Sequence, residues 1–140
     1  MALRHHSLVA WQRADDLFIA LHQLSLKSFP PFERYELGRQ LRRAAYSVPA
    51  NIAEGFSRRQ MRARLHFLNI AEASLAEVGY VLHAARRLGY IGATEYEKLE
   101  IQVRRASAPL EGLIRSTRQS CVSAVVAGGM VVLAVLIALR

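Results

Sequence analysis

Arg39, Arg42, Arg43, Arg58, Arg59, Arg62 and Arg64 share one segment with a single acid, Glu54, which leaves a local charge of +6 out of +8 for the whole chain. The chemistry open to such a run is phosphate binding. Guanidinium forks match phosphate oxygens, and each phosphate neutralised releases condensed counterions. The plainer reading is a solvated helix face in which some of these arginines pair with Glu33, Glu36 or Glu54. No aromatic array interleaves the arginines, so contact with RNA or DNA would be led by the backbone and weakly sequence-selective.

Between the two halves of this run lies Arg42-Arg43-Ala44-Ala45-Tyr46-Ser47-Val48-Pro49-Ala50-Asn51-Ile52-Ala53-Glu54-Gly55. Its apolar or small residues at 37, 41, 44, 45, 48 and 52 keep helical spacing through Pro49, which removes a backbone donor and crowds the preceding turn. A helix bent at Pro49 is predicted. Asn51 and Glu54 are near neighbours on one face of it. Structural duties follow: carbonyls freed around Pro49 need donors, a carboxylate needs an arginine such as Arg43, and Gly55 ends or loosens the helix.

Catalytic chemistry finds little footing. The histidines at 5, 6, 22, 66 and 83 show no pairing at metal-ligand spacing and have no companion cysteines, so neither a metal site nor a cofactor is expected. Arg59 and His66 match the arginine-to-histidine spacing of small helical ribonucleases of the HEPN type, a match that an arginine-rich chain produces by chance. No glycine-rich phosphate loop, nucleophile elbow or carboxylate pair is present. The expectation is a protein that is not an enzyme.

The elements that must position these residues are helices. Trp11, Ala14, Phe18 and Leu21, widened by Leu17 and Leu24, mark a first helix capped by Ser7 and stopped by Pro30 and Pro31. A second runs from about residue 33 to 57, with Glu33 and Glu36 in its first turn. A third follows Ser57–Gln60 and carries a seven-residue seam at Leu68, Ala71, Leu75, Val78, Leu82 and Ala85. Phe67, Ile70, Val81 and Leu88 lie beside that seam and supply an apolar excess suited to self-association. Gly89 ends this helix, Thr94 and Glu97 box the start of the fourth, and Tyr96, Leu99, Val103, Ala106, Leu110, Leu113 and Thr117 form its core stripe, with Pro109 off that stripe and bending it. Similar helix lengths and short connections predict an all-α, antiparallel up-down-up-down four-helix bundle over 1–119.

Residues 120–140 form a second region. From Cys121 to Leu139 there is no charge, a run of about 28 Å as a helix, close to the ~30 Å core of a bilayer. Arg115 and Arg118 precede it, which predicts a cytoplasmic bundle tail-anchored in the inner membrane through residues 121–139. Ala124 and Gly128 form a small-xxx-small step. The alternatives are a fifth helix buried in an oligomer core, or an extension created by gene rearrangement and not selected for any role. Cys121 is the sole cysteine, so no intrachain disulfide can form, and residues 1–7 hold no signal-peptide core.

Several segments resemble a known family. Leu8-Val9-Ala10-Trp11-Gln12-Arg13-Ala14, Pro31-Phe32-Glu33-Arg34-Tyr35-Glu36-Leu37, Phe67-Leu68-Asn69-Ile70-Ala71-Glu72-Ala73-Ser74 and the ordered set Pro49, Asn51, Glu54 and Gly55 are similar to the four-helix bundle proteins encoded in intervening sequences of bacterial large-subunit rRNA genes, and to the accessory variability protein of diversity-generating retroelements. The likeness spans about residues 8 to 117. Ala73 stands where the family has glycine, and the apolar run after Gln119 has no counterpart in it. The resemblance implies a bundle that assembles into rings, often pentamers, with nucleic acid and a reverse transcriptase or another protein as partners. The competing expectation is a membrane-tethered protein-interaction scaffold whose arginines meet acidic lipid.

Overall fold

The computed structural model describes the backbone of residues 4–138 and the side chains as far as Met130. A short 3-10 helix at Arg4–Ser7 precedes four α-helices, α1 (Val9–Ser28), α2 (Leu37–Ser57), α3 (Met61–Arg87) and α4 (Ala93–Ala138), and there is no strand among the described residues. Each helix packs on its neighbour in sequence, α4 closes back on α1, and neither diagonal pair meets. Residues late in one helix face residues early in the next: Ser25 meets Arg42, and Phe67 meets Gly55. That is the antiparallel bundle the periodicity predicts.

The core follows the α3 heptads, while on α4 Ile114, outside the expected stripe, is buried and Tyr96, Val103 and Leu113 are only partly so. All six seam residues of α3 are buried, as are Leu41, Ala44, Ala45, Val48 and Ile52 of α2 and Leu99, Ala106, Leu110 and Ile114 of α4. Phe29 illustrates how local sequence feeds the core. The residue before a proline avoids the α region; Phe29 is extended at φ −77° and ψ 141°, and this swings its ring inside. The apolar excess on α3 is largely buried within the bundle. Val81 is buried, Phe67 packs on Gly55 and Ile70 is half-buried, so of the four only Leu88 stays exposed.

Several helix ends differ from the sequence reading. Ser7 does not cap α1; its hydroxyl donates to the Arg4 carbonyl within the 3-10 turn, and Leu8 takes the cap position. The second helix begins at Leu37 and not near 33, because residues 30–36 close on themselves through backbone bonds from Glu33 and Arg34 to the Pro30 carbonyl. Glu33 still serves the helix start from outside it: its Oε2 accepts from the Leu37 amide at 3.2 Å. Thr94 sits inside the first turn of α4, which starts at Ala93. At the end of α3, Gly89 (φ 79°) donates to the Arg86 carbonyl and Tyr90 to that of Ala85, the paired bonds of a Schellman motif.

The fourth helix does not stop at the bundle. α4 is one continuous helix of 46 residues, about 69 Å long, passing through Pro109 and through the boundary at 119–120 without a break. Among the described side chains Thr117 is the last buried one of α4, and from Arg118 to Met130 only Cys121 is even half-buried. Among the described residues no helix is long and apolar enough to cross a membrane, so the tail anchor predicted at 121–139 gains no support. The described stretch of that run, 121–130, is by itself shorter than the roughly 20 apolar residues that a bilayer core requires, and residues 131–139 lie outside the described side chains.

Candidate nucleic-acid interface

The seven arginines divide into those the fold uses and those it leaves in solvent. Arg42 is half-buried; its Nη1 donates to Ser25 Oγ at 2.9 Å and its Nη2 to the Arg34 carbonyl at 2.8 Å, which ties the end of α1 and the following loop to α2. Arg64 lies with its guanidinium carbon 4.5 Å from the centre of the Phe56 ring and donates to the Arg58 carbonyl at 3.3 Å. Arg58 pairs with Glu54 and also stands over Phe67 at 5.2 Å. Arg39, Arg43, Arg59 and Arg62 are exposed, and none of them has an acidic partner within 4.0 Å among the described residues.

These four form two groups. Arg39 and Arg43 lie one turn apart in the first half of α2, whereas Arg59 and Arg62 sit in and just after the α2–α3 connection. At 1.5 Å per residue, Arg43 and Arg59 are roughly 24 Å apart along the bundle. A continuous cationic rim is therefore absent. Its place is taken by one patch on the outer face of α2 and one at the bundle end where α4 leaves.

The Pro49–Gly55 motif is structural in its contacts. α2 runs unbroken from 37 to 57 with Pro49 buried inside it. Asn51 supplies a donor, but to Ser47, its Nδ2 reaching the Ser47 carbonyl at 2.7 Å and Oγ at 2.9 Å; the carbonyl that Pro49 frees belongs to Ala45, four residues back. Ser74 Oγ then donates to Ser47 Oγ at 2.8 Å, extending this polar chain across to α3. Glu54 pairs with Arg58 and not with Arg43. Gly55 does not end the helix, which continues to Ser57. It is buried where α3 comes close: an added Cβ would stand 3.2 Å from the Arg64 carbonyl oxygen and 3.3 Å from Phe67 Cβ. Ala73, by contrast, is exposed, so its methyl group costs no room.

Residues bearing other chemistry are dispersed. No three His, Cys, Asp or Glu side chains among the described residues could hold a metal ion together. His66 is exposed beside Phe67, and Arg59 lies in the exposed connection ahead of α3. His5 and His6 gather around Trp11, and burial with the nearby His6 lowers the His5 pKa below its usual 6.5. Two phenols titrate high. Partial burial, then the hydrogen bond from Tyr90 Oη to Glu33 Oε1 at 3.0 Å and the charge of that carboxylate, raise Tyr90; the bond to Glu100 and burial raise Tyr96.

Residues 6–112, from the start of the bundle well into α4, match the protein family described as 23S rRNA-intervening sequence protein. The chain belongs to this family. The bundle is also similar to a crystal structure from Bacteroides thetaiotaomicron, described as a protein of unknown function from the S23 ribosomal protein family: TM-score 0.71 and 21% identity, covering 76% of this chain and 96% of the other. At that identity the likeness concerns the fold. No curated protein matches the chain. The part matched to the 23S rRNA-intervening sequence protein family contains all seven arginines and the Pro49–Gly55 motif, whereas the projecting end of α4 lies beyond it.

One residue escapes the sequence reading. Tyr46 is 60% exposed on the same outer stripe of α2 as Arg39 and Arg43. The signal was its position, seven residues after Arg39 and three after Arg43.

Proposed function

We propose that this protein is a non-enzymatic helical bundle that binds nucleic acid through its exposed arginines. The observation that carries the reading is that Arg39, Arg43, Arg59 and Arg62 are exposed and without acidic partners, although acids lie close in sequence. Guanidinium groups left without a carboxylate in solvent are free to meet another anion. Backbone phosphates are the ligand that unpaired guanidinium groups select, with modest preference for sequence. Whether the ligand is RNA or DNA would be set by contacts to the sugar 2′-hydroxyl. Self-association belongs to the same proposal, with Ile19, Leu26, Leu88 and Ile101 as apolar side chains still exposed for a second copy. Replacing Arg39, Arg43, Arg59 and Arg62 by alanine should sharply weaken binding to single- and double-stranded oligonucleotides while circular dichroism stays that of the wild type. Undiminished affinity in that variant removes the reading.

A second reading rests on α4. Val122, Val125, Val126 and Met130 are exposed on a helix that leaves the bundle with Arg115 and Arg118 at its base, an arrangement suited to a tether in an acidic membrane. If the full-length chain remains in the soluble fraction without detergent, the tether is wrong.

A further inference from the structure

Arg39, Arg43 and Tyr46 occupy one stripe of α2, with the two arginines about 6 Å apart along the axis and Tyr46 about 4.5 Å further on. All three are exposed, and Tyr46 is held in place rather than free: its ring meets Phe18 of α1 edge to face at 5.7 Å and 71°. In the turn ahead of α2, four residues before Arg39, Tyr35 is 75% exposed. Glu77, which lines the same surface recess as Arg43 and Ser47, is not within ion-pairing distance of Arg43.

We propose that this stripe is a binding site for single-stranded nucleic acid, in which Tyr46 stacks on a base while Arg39 and Arg43 hold the flanking phosphates. The proposal rests on the nucleic-acid reading above and names the ligand of one of its two patches. In a duplex the base faces are covered by their neighbours, so a rigidly mounted tyrosine finds a partner only on an unpaired strand. Every base has a π face, so the site is tolerant of sequence. The hairpin patch of Arg59 and Arg62 has no exposed tyrosine in its connection and serves phosphate alone.

The test uses the full-length protein with a labelled single-stranded homopolymer and a duplex of the same length, read by fluorescence anisotropy. Tyr46→Leu keeps an apolar contact with Phe18 and removes the stacking surface; it should weaken single-strand binding by about five- to a hundredfold and leave duplex binding unchanged. Tyr46→Phe should restore wild-type affinity for the single strand, since its ring keeps both the π face and the contact with Phe18, and unchanged duplex binding by Tyr46→Leu separates lost stacking from misfolding. If Tyr46→Leu binds the single strand as the wild type does while Arg39→Ala with Arg43→Ala loses it, stacking is overturned and the charge reading survives. Equal losses on single strand and duplex for Tyr46→Leu overturn the strand preference. If the double arginine variant binds both ligands normally, this face is no interface and the stacking site is overturned, whereas the wider reading falls only if the variant lacking Arg59 and Arg62 as well binds undiminished.

Discussion

Arg42 and Arg43 are adjacent and chemically identical, yet the bundle gives them opposite fates, and this can be measured. Arg42 contributes two hydrogen bonds from a charged donor, one to a hydroxyl belonging to Ser25, which is fully buried, and one to the Arg34 carbonyl. Bonds of this kind are worth roughly 1.5 to 3 kcal/mol each when buried; for a half-buried guanidinium the pair is discounted to about 2 to 3 kcal/mol in total. Arg42→Met, which keeps the aliphatic stem, should lower stability by that amount, roughly 6 to 12 °C in melting temperature. Arg43→Ala should stay within about 0.5 kcal/mol of wild type, as exposed substitutions do. Urea unfolding followed by circular dichroism reads both. A double-mutant cycle with Ser25→Ala adds a check, because the second loss should cost less once Arg42 is gone. Equal stability of the Arg42→Met and Arg43→Ala variants would refute the division of the arginines into structural and free.

Other predictions follow from the same contacts. Gly55→Val drives a side chain into the α3 backbone and should cost about 1 to 3 kcal/mol by chemical denaturation, whereas Gly112→Ala, which meets nothing within 4 Å on α4, should stabilise by about 0.5 to 1 kcal/mol. Tyr90 has a folded pKa above its ordinary 10.0, so its share of stability is complete below that pH and is lost as pH rises through the raised value. Melting temperature should therefore fall more steeply above about pH 10 in wild type than in Tyr90→Phe, and parallel curves would show that the bond to Glu33 is not formed.

The helices were legible because their apolar residues repeat without interruption. The α3 seam has no proline, and each of its positions is buried. Helix ends were less so, since they depend on which partner a polar group finds. Ser7 had an alternative in the Arg4 carbonyl, and Glu33 reached α2 from within a turn. Gly55 read as a helix breaker because a sequence does not reveal how closely another backbone approaches. The arginine run was read as one surface, but helix length separates its halves and Arg42 and Arg64 turn inward onto groups distant in sequence or on another helix. Tyr46 is harder to single out because its apolar neighbours Ala45 and Val48 belong to the core stripe, although its spacing from Arg39 and Arg43 places it on the opposite face.

The exposed, unpaired arginines are best tested through the salt dependence of binding. For the wild type and the Arg39→Ala, Arg43→Ala, Arg59→Ala, Arg62→Ala variant, the slope of log affinity against log salt concentration on a single-stranded oligonucleotide counts the phosphates neutralised. The account requires the variant to lose up to about 0.7 per arginine removed, approaching a slope change of 3 if all four engage. Identical slopes for the two proteins would contradict it.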